Sequence, residues 1–404
     1  MNHFGWLPSL GLALAMLGCG LSSSSDRAKD GNAVLQAEKC NFADDDGDGL
    51  VDEGFPWVVE DPAILHRVDR FSSVGRAAPG GDNTWVVVGT DAVSEPGDRL
   101  FALRVDGDAR VTHGPTHVLV PHCSNGHAAV APLGSNFLAV VGSRTWANRP
   151  PCPDDGCPVM GAVLDPQLRV VTTAELPIPN YPNVVVTGLA CSTTACFAIV
   201  GDGVNTAIVR LATSPLALHA QRELGADGAL LALSAGDEEF VDVVSVEDGV
   251  VRWRRLRASD LSEEGSPVEI LAANRLLGAS SLTDGGFVLV YTDSTEKQRL
   301  ARFDAHQQRI HDSGDVGMSL DMVPSGNGIV HVGSPADSLV LATELVRLDG
   351  ALSPVRSPNN PLRSPAYPSR MSLVLGEGFA LLFSANYDGQ AVEARRISCA
   401  TVSP

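Results

Sequence analysis

At 404 residues and 44 % hydrophobic content, the chain can bury a large core, either as two or three ordinary domains or as one large all-β domain. Its 40 glycines and 26 prolines suit many short strands separated by turns and argue against long helices. A formal net charge of −19 argues against nucleic acid or an anionic membrane surface as a partner. Only three of the 29 basic residues are lysine (Lys29, Lys39 and Lys297), which reads as genomic base-composition bias and not as function.

From Trp6 to Leu17 the chain is apolar or small. At about 12 residues this run is too short to span a bilayer but right for the apolar core of an export signal. It runs into Met16-Leu17-Gly18-Cys19, which resembles the lipobox of bacterial lipoproteins, although no Lys or Arg precedes the apolar run. The resemblance implies that residues 1–19 are a signal peptide, that Cys19 carries the lipid and that the protein lies in the cell envelope of a Gram-negative bacterium, as an outer-membrane or surface lipoprotein. The alternative is an ordinary cleaved signal and a periplasmic or secreted protein. Residues 20–39, with four consecutive serines, read as a flexible tether. Membrane contact is expected through the N-terminal lipid only.

Residues 40–55 read CNFADDDGDGLVDEGF, with five aspartates and a glutamate between Asp44 and Glu53. Asp44, Asp46, Asp48 and Asp52, with glycine at the sixth position, match the first nine positions of a calcium loop, in which alternating carboxylates on a tight turn converge on one cation. Hard carboxylate oxygens favour Ca²⁺ over softer metals. Position twelve is Phe55, where a bidentate acid would complete the shell. The stretch resembles a short acidic metal-binding motif of bacterial surface and secreted proteins, running Cys-Asn-Gly-x-Asp-x-Asp-Cys-Asp-Gly-x-x-Asp-Glu. Phe42 replaces its glycine and Gly47 its second cysteine. The expectation is a structural calcium site made by Asp44, Asp46, Asp48, Asp52 and Glu53, against the plainer reading of a solvated acidic linker.

Residues 56–404 form a repeat. Seven times a turn rich in Gly, Ser, Asp or Asn leads into a short strand-like run opened by a bulky residue: Trp85, Phe137, Phe197, Phe240, Phe287, Ile329 and Phe379. Their spacings are 52, 60, 43, 47, 42 and 50 residues. A short run precedes each anchor, as in HAAVAP (127–132). A hairpin follows it, as in RLFALRVDGDARV (99–111), NTAIVRLATSPLAL (205–218), QRLARFDAHQQRI (298–310) and LATELVRLDGALSP (341–354). Four short antiparallel strands per repeat predict a seven-bladed β-propeller, in which radial closure covers the sheet edges. The seventh repeat ends five residues after Cys399, too soon for a fourth strand. Ile64 to Asp69 is expected to supply that strand and close the ring.

Setting Cys19 aside, seven cysteines remain. Cys152 with Cys157, and Cys191 with Cys196, bracket turns short enough for local disulfides; their spacing is wrong for zinc and the exported compartment favours the disulfide. Cys40, without its local partner, is expected to bridge Cys399 once the ring closes, leaving Cys123 free or alternatively paired. A second candidate metal cluster is His113, His117, His122, Cys123 and His127, within 15 residues, with ordinary surface histidines as the competing reading. No nucleophile elbow, zincin, phosphate-loop or dinucleotide motif is present. The functional expectation is a monomeric envelope propeller that binds a protein or glycan ligand. The competing expectation is a propeller hydrolase or lyase acting on carbohydrate or lactone in the central channel.

Overall fold

The computed structural model describes residues 57–68, 72–91, 98–120, 127–142, 159–178, 184–193, 195–202, 204–233, 239–282, 284–316, 318–325, 328–334, 344–348, 354–355, 371–385 and 390–399. Cys19, the acidic segment with Cys40, and His122, Cys123, Cys152 and Cys157 lie outside the described residues.

The regular structure is all β, and each expected anchor falls at the first or second position of the second strand of a sheet. Sheet I comprises Ser72–Val74 and Ala78–Gly81, end to end along one edge of Thr84–Asp91, then Asp98–Asp106 and Val111–Val120. Sheet II comprises Ala128–Leu133, Asn136–Val141, Val159–Leu164 and Val170–Leu176, and sheet III Val185–Cys191, Cys196–Gly201, Thr206–Thr213 and Leu216–Gly225. Sheet IV is Asp227–Leu233, Phe240–Glu247, Val250–Arg257 and Val268–Ala272, and sheet V Arg275–Ser281, Phe287–Thr292, Gln298–Phe303 and Arg309–Asp312. Sheet VI is Met318–Ser325, Gly328–Ser334, Glu344–Leu348 and Pro354–Val355. Sheet VII combines Met371–Gly376, Phe379–Ala385 and Ala391–Cys399 with two N-terminal strands, Trp57–Val59 and Ala63–Arg67. All pairings within these sheets are antiparallel.

The second strands are apolar on both faces, as the burial of Val86, Val87 and Val88 shows, because each sheet is covered on both sides by its neighbours. Successive residues of one strand therefore enter different cores. Val86 and Val88 pack with Phe137 and Ala139 between sheets I and II, whereas Trp85 and Val87 pack with Phe379, Leu381 and Phe383 between sheets VII and I. The remaining clusters fill the gaps II–III, III–IV, IV–V, V–VI and VI–VII in turn. Neighbouring sheets from II to VII meet along their first strands, which are therefore innermost. Gly142, just past the second strand of sheet II, lies where that sheet comes against the entry to sheet III, since a Cβ there would fall 2.1 Å from the Val184 carbonyl oxygen.

The hairpins share a turn chemistry. Asp106, Asp165, Asp293 and Asp304 each accept, through Oδ1, the backbone N–H groups of the residues two and four positions on. In each case the residue three positions on is left-handed: Ala109 (φ 58°), Leu168 (φ 62°), Glu296 (φ 62°) and Gln307 (φ 61°).

The N-terminal pairing sets sheet VII. Trp57 lies opposite Cys399 and Ala63 opposite Ala394, so the first described strands lie outermost on the last long one. The expected strand at Ile64–Asp69 begins earlier than the sequence suggested and comes in two pieces. Leu65, on the second piece, is buried with Phe101 and Phe383 between sheets VII and I.

Candidate functional site

Three places carry polar chemistry. The first lies among the innermost strands. Arg76 of sheet I donates from Nη2 to the Met322 carbonyl of sheet VI at 3.3 Å, and the neighbouring Ala77 N–H donates to Ser372 Oγ of sheet VII at 2.8 Å. Asp321 accepts the Leu373 N–H at 2.8 Å and the Met322 N–H at 2.9 Å. Burial pushes its carboxyl above the ordinary value, an effect that the Arg76 charge and the two backbone donors partly offset. Asp227 does similar work, taking the Leu276 N–H at 3.3 Å beside Arg275 at 3.5 Å. These carboxylates tie one sheet to the next.

The second place is a cleft of roughly 630 Å³ between sheets III and IV, lined by Ser192, Arg210, Glu239, Phe240, Arg257 and Glu264 among others. Phe240 is half-buried, whereas the other six anchors are buried. Arg257 is neutralised by Glu264 at 2.6 Å. Arg210 differs, because its Nε is buried and makes no hydrogen bond. The hairpin that contributes Ser192 is closed by a disulfide between Cys191 and Cys196, as its spacing predicts. The half-buried Phe240 ring, with the Arg255 guanidinium 5.8 Å from its centroid, gives the cleft an apolar surface beside cationic groups, which suits a ligand carrying both an apolar group and an anionic or carbonyl oxygen.

The third place is the seam between sheets VII and I. Of the expected histidine cluster, His113 and His117 lie on the outer strand of sheet I, opposite Arg104 and Phe101. His117 meets His66, with ring centroids 5.5 Å apart, and not His113; His66 in turn lies 5.0 Å from Phe101. Asp91, buried at the end of its strand, is the third member of this group. His127 stands before the first strand of sheet II. Both imidazoles are held below their ordinary pKa, His66 by burial and then His117, and His117 by burial and then Arg99, with Asp91 opposing in each case. The sequence signals for His66 and Asp91 were weak: a lone histidine in AILHR and an aspartate ending TWVVVGTD. Nearby, Arg396 lies over the Phe379 ring at 5.0 Å, donates to the Gly107 carbonyl at 2.9 Å and pairs with Glu60 at 2.9 Å, while Trp85 meets Phe379 edge-on at 5.6 Å.

No family model and no curated protein matches the sequence. Solved structures do match in shape. YCF48 bound to D1 peptide aligns at a TM-score of 0.53 with 12 % identity, over 86 % of this chain and 97 % of that one. The WD40 domain of Toxoplasma gondii coronin aligns at a TM-score of 0.53 with 12 % identity, over 86 % of this chain and 88 % of that one. At such identities the likeness speaks to fold alone. With repeated four-stranded antiparallel sheets and cores between successive sheets, it identifies the body of the chain as a β-propeller.

Proposed function

We propose that this protein is an exported, lipid-anchored, seven-bladed propeller of the Gram-negative cell envelope that binds a protein or peptide partner. The observation that carries the binding reading is the cleft between sheets III and IV. There the fold leaves one anchor aromatic, Phe240, half-exposed in a cleft that Arg210 also lines. The other six anchors are buried, so the repeat itself does not call for an exposed ring at this position. That YCF48 was solved with a peptide bound supports the reading as an analogy of fold.

The anchor in this reading is Cys19, the tether is residues 20–39, and the acidic segment holds one structural Ca²⁺ through Asp44, Asp46, Asp48, Asp52 and Glu53. Cys40 bridges Cys399, which fastens that segment to the closing sheet. Affinity capture from envelope extracts tests the binding role. The wild-type protein should enrich a polypeptide that both Phe240→Ala and Arg210→Ala lose; an unchanged set of captured proteins would dismiss the cleft. Calorimetry of the mature protein should show one calcium bound, and no heat at millimolar calcium would remove the metal.

A further inference from the structure

His66, Asp91 and His117 come from three strands: Ala63–Arg67 on sheet VII, and Thr84–Asp91 and Val111–Val120 on sheet I. One ligand atom from each lies within 4.8 Å of the other two. His66 Nε2 and Asp91 Oδ1 are both buried, and neither makes a hydrogen bond. Buried polar atoms are rarely left in that state, because each forfeits its water for nothing. Here the two residues that carry such atoms bring ligand atoms into one small space with a third donor of electron pairs, which is what a cation requires.

The donor set selects the cation. Two imidazole nitrogens and one carboxylate oxygen suit a borderline divalent transition ion, whereas Ca²⁺ takes six to eight oxygens. Zinc bonds of 2.0–2.2 Å in a tetrahedron place donors about 3.4 Å apart. Binding would therefore draw the three donor atoms together by up to about 1.4 Å and leave one position for water or an incoming ligand. We propose that His66, Asp91 and His117 form a Zn²⁺ site that staples the N-terminal strand to sheet I. The site is independent of both the acidic segment and the cleft.

The test uses the mature protein stripped with chelator and held in excess calcium, so that the acidic segment is closed to zinc. Calorimetry with Zn²⁺, and visible absorption with Co²⁺ as a spectroscopic substitute, should show one ion per chain and a rise in the unfolding temperature. His117→Gln, at an exposed position that the fold does not depend on, should weaken binding by about 100-fold or more and abolish the thermal gain. His66→Gln should do the same, whereas His113→Gln, also exposed and on the same strand as His117, should change neither readout. The proposal is overturned if no Zn²⁺ binds. It is equally overturned if binding survives His66→Gln and His117→Gln but is lost in Cys123→Ser.

Discussion

Leu168 and Gln307 occupy the same left-handed turn position for different reasons. The Leu168 side chain is fully buried in the core between sheets I and II, so packing offsets the backbone cost of its positive φ. Replacing it with glycine should lower stability by roughly 1 to 4 kcal/mol, because a cavity term of about 3 to 5 outweighs about 1 to 2 of relieved backbone. At Gln307, whose side chain reaches only the Ala305 carbonyl, glycine should be neutral or stabilise by up to about 1 kcal/mol. Denaturant unfolding should show a clear loss for Leu168→Gly and none for Gln307→Gly. His331 makes a separate prediction. It is buried on the second strand of sheet VI, its Nε2 lacks a partner, and burial lowers its pKa to about 4. The unfolded chain therefore takes up the proton first, and stability should be full above about pH 6.5 and decline as pH falls towards 4, by on the order of 3 kcal/mol for this residue. His331→Leu should flatten that slope in thermal melts from pH 7 to 4; an unchanged slope would show that His331 does not carry it.

Among the elements, sheet IV is unusual in carrying an ionic network. Buried Arg254 binds Glu247 and Glu263 and also donates to Ser245 Oγ at 3.3 Å, while Arg252 bridges Glu247 and Glu269. Both carboxylates on Arg254 keep some access to water, so Arg254→Met should cost about 2 to 3 kcal/mol in chemical denaturation, below the figure for a fully buried pair. A loss under about 0.5 kcal/mol would mean that water already satisfies them. The strands themselves were legible from sequence: each anchor run is a short continuous apolar stretch after a turn, and the hairpin that follows alternates apolar with polar residues, both of them signals carried by fewer than ten residues at a time. The Asp-x-x-x turns were also written there, in VDGDAR, LDPQLR and FDAHQQ, but their left-handed fourth residue is visible only once the backbone is traced. The seam cluster was half legible. His117 was among the expected ligands, but Asp91 comes near it only across the intervening strand of sheet I, and His66 joins only after sheet VII has taken its outer strand from the far end of the chain. Arg76 and Met322, 246 positions apart, were hidden for the same reason.

For the whole molecule, the seam between sheets VII and I is where the ring closes, and it concentrates the long-range contacts: Arg396 with Gly107 and Glu60, Trp85 with Phe379, and Leu65 in the shared core. A chain starting at residue 72 would lose both N-terminal strands and leave Ala391–Cys399 as a bare edge. Such a protein should self-associate in light scattering and lose its single cooperative melt; a monomer melting like the wild type would show that the seam is not needed. The register of Trp57 opposite Cys399 also determines what the two ends of the chain can do. They enter and leave the fold side by side, one strand spacing apart. A fusion partner or epitope added after the last strand therefore begins its path beside the entering N-terminal strand, and its accessibility to antibody or protease would report on the outer edge of sheet VII.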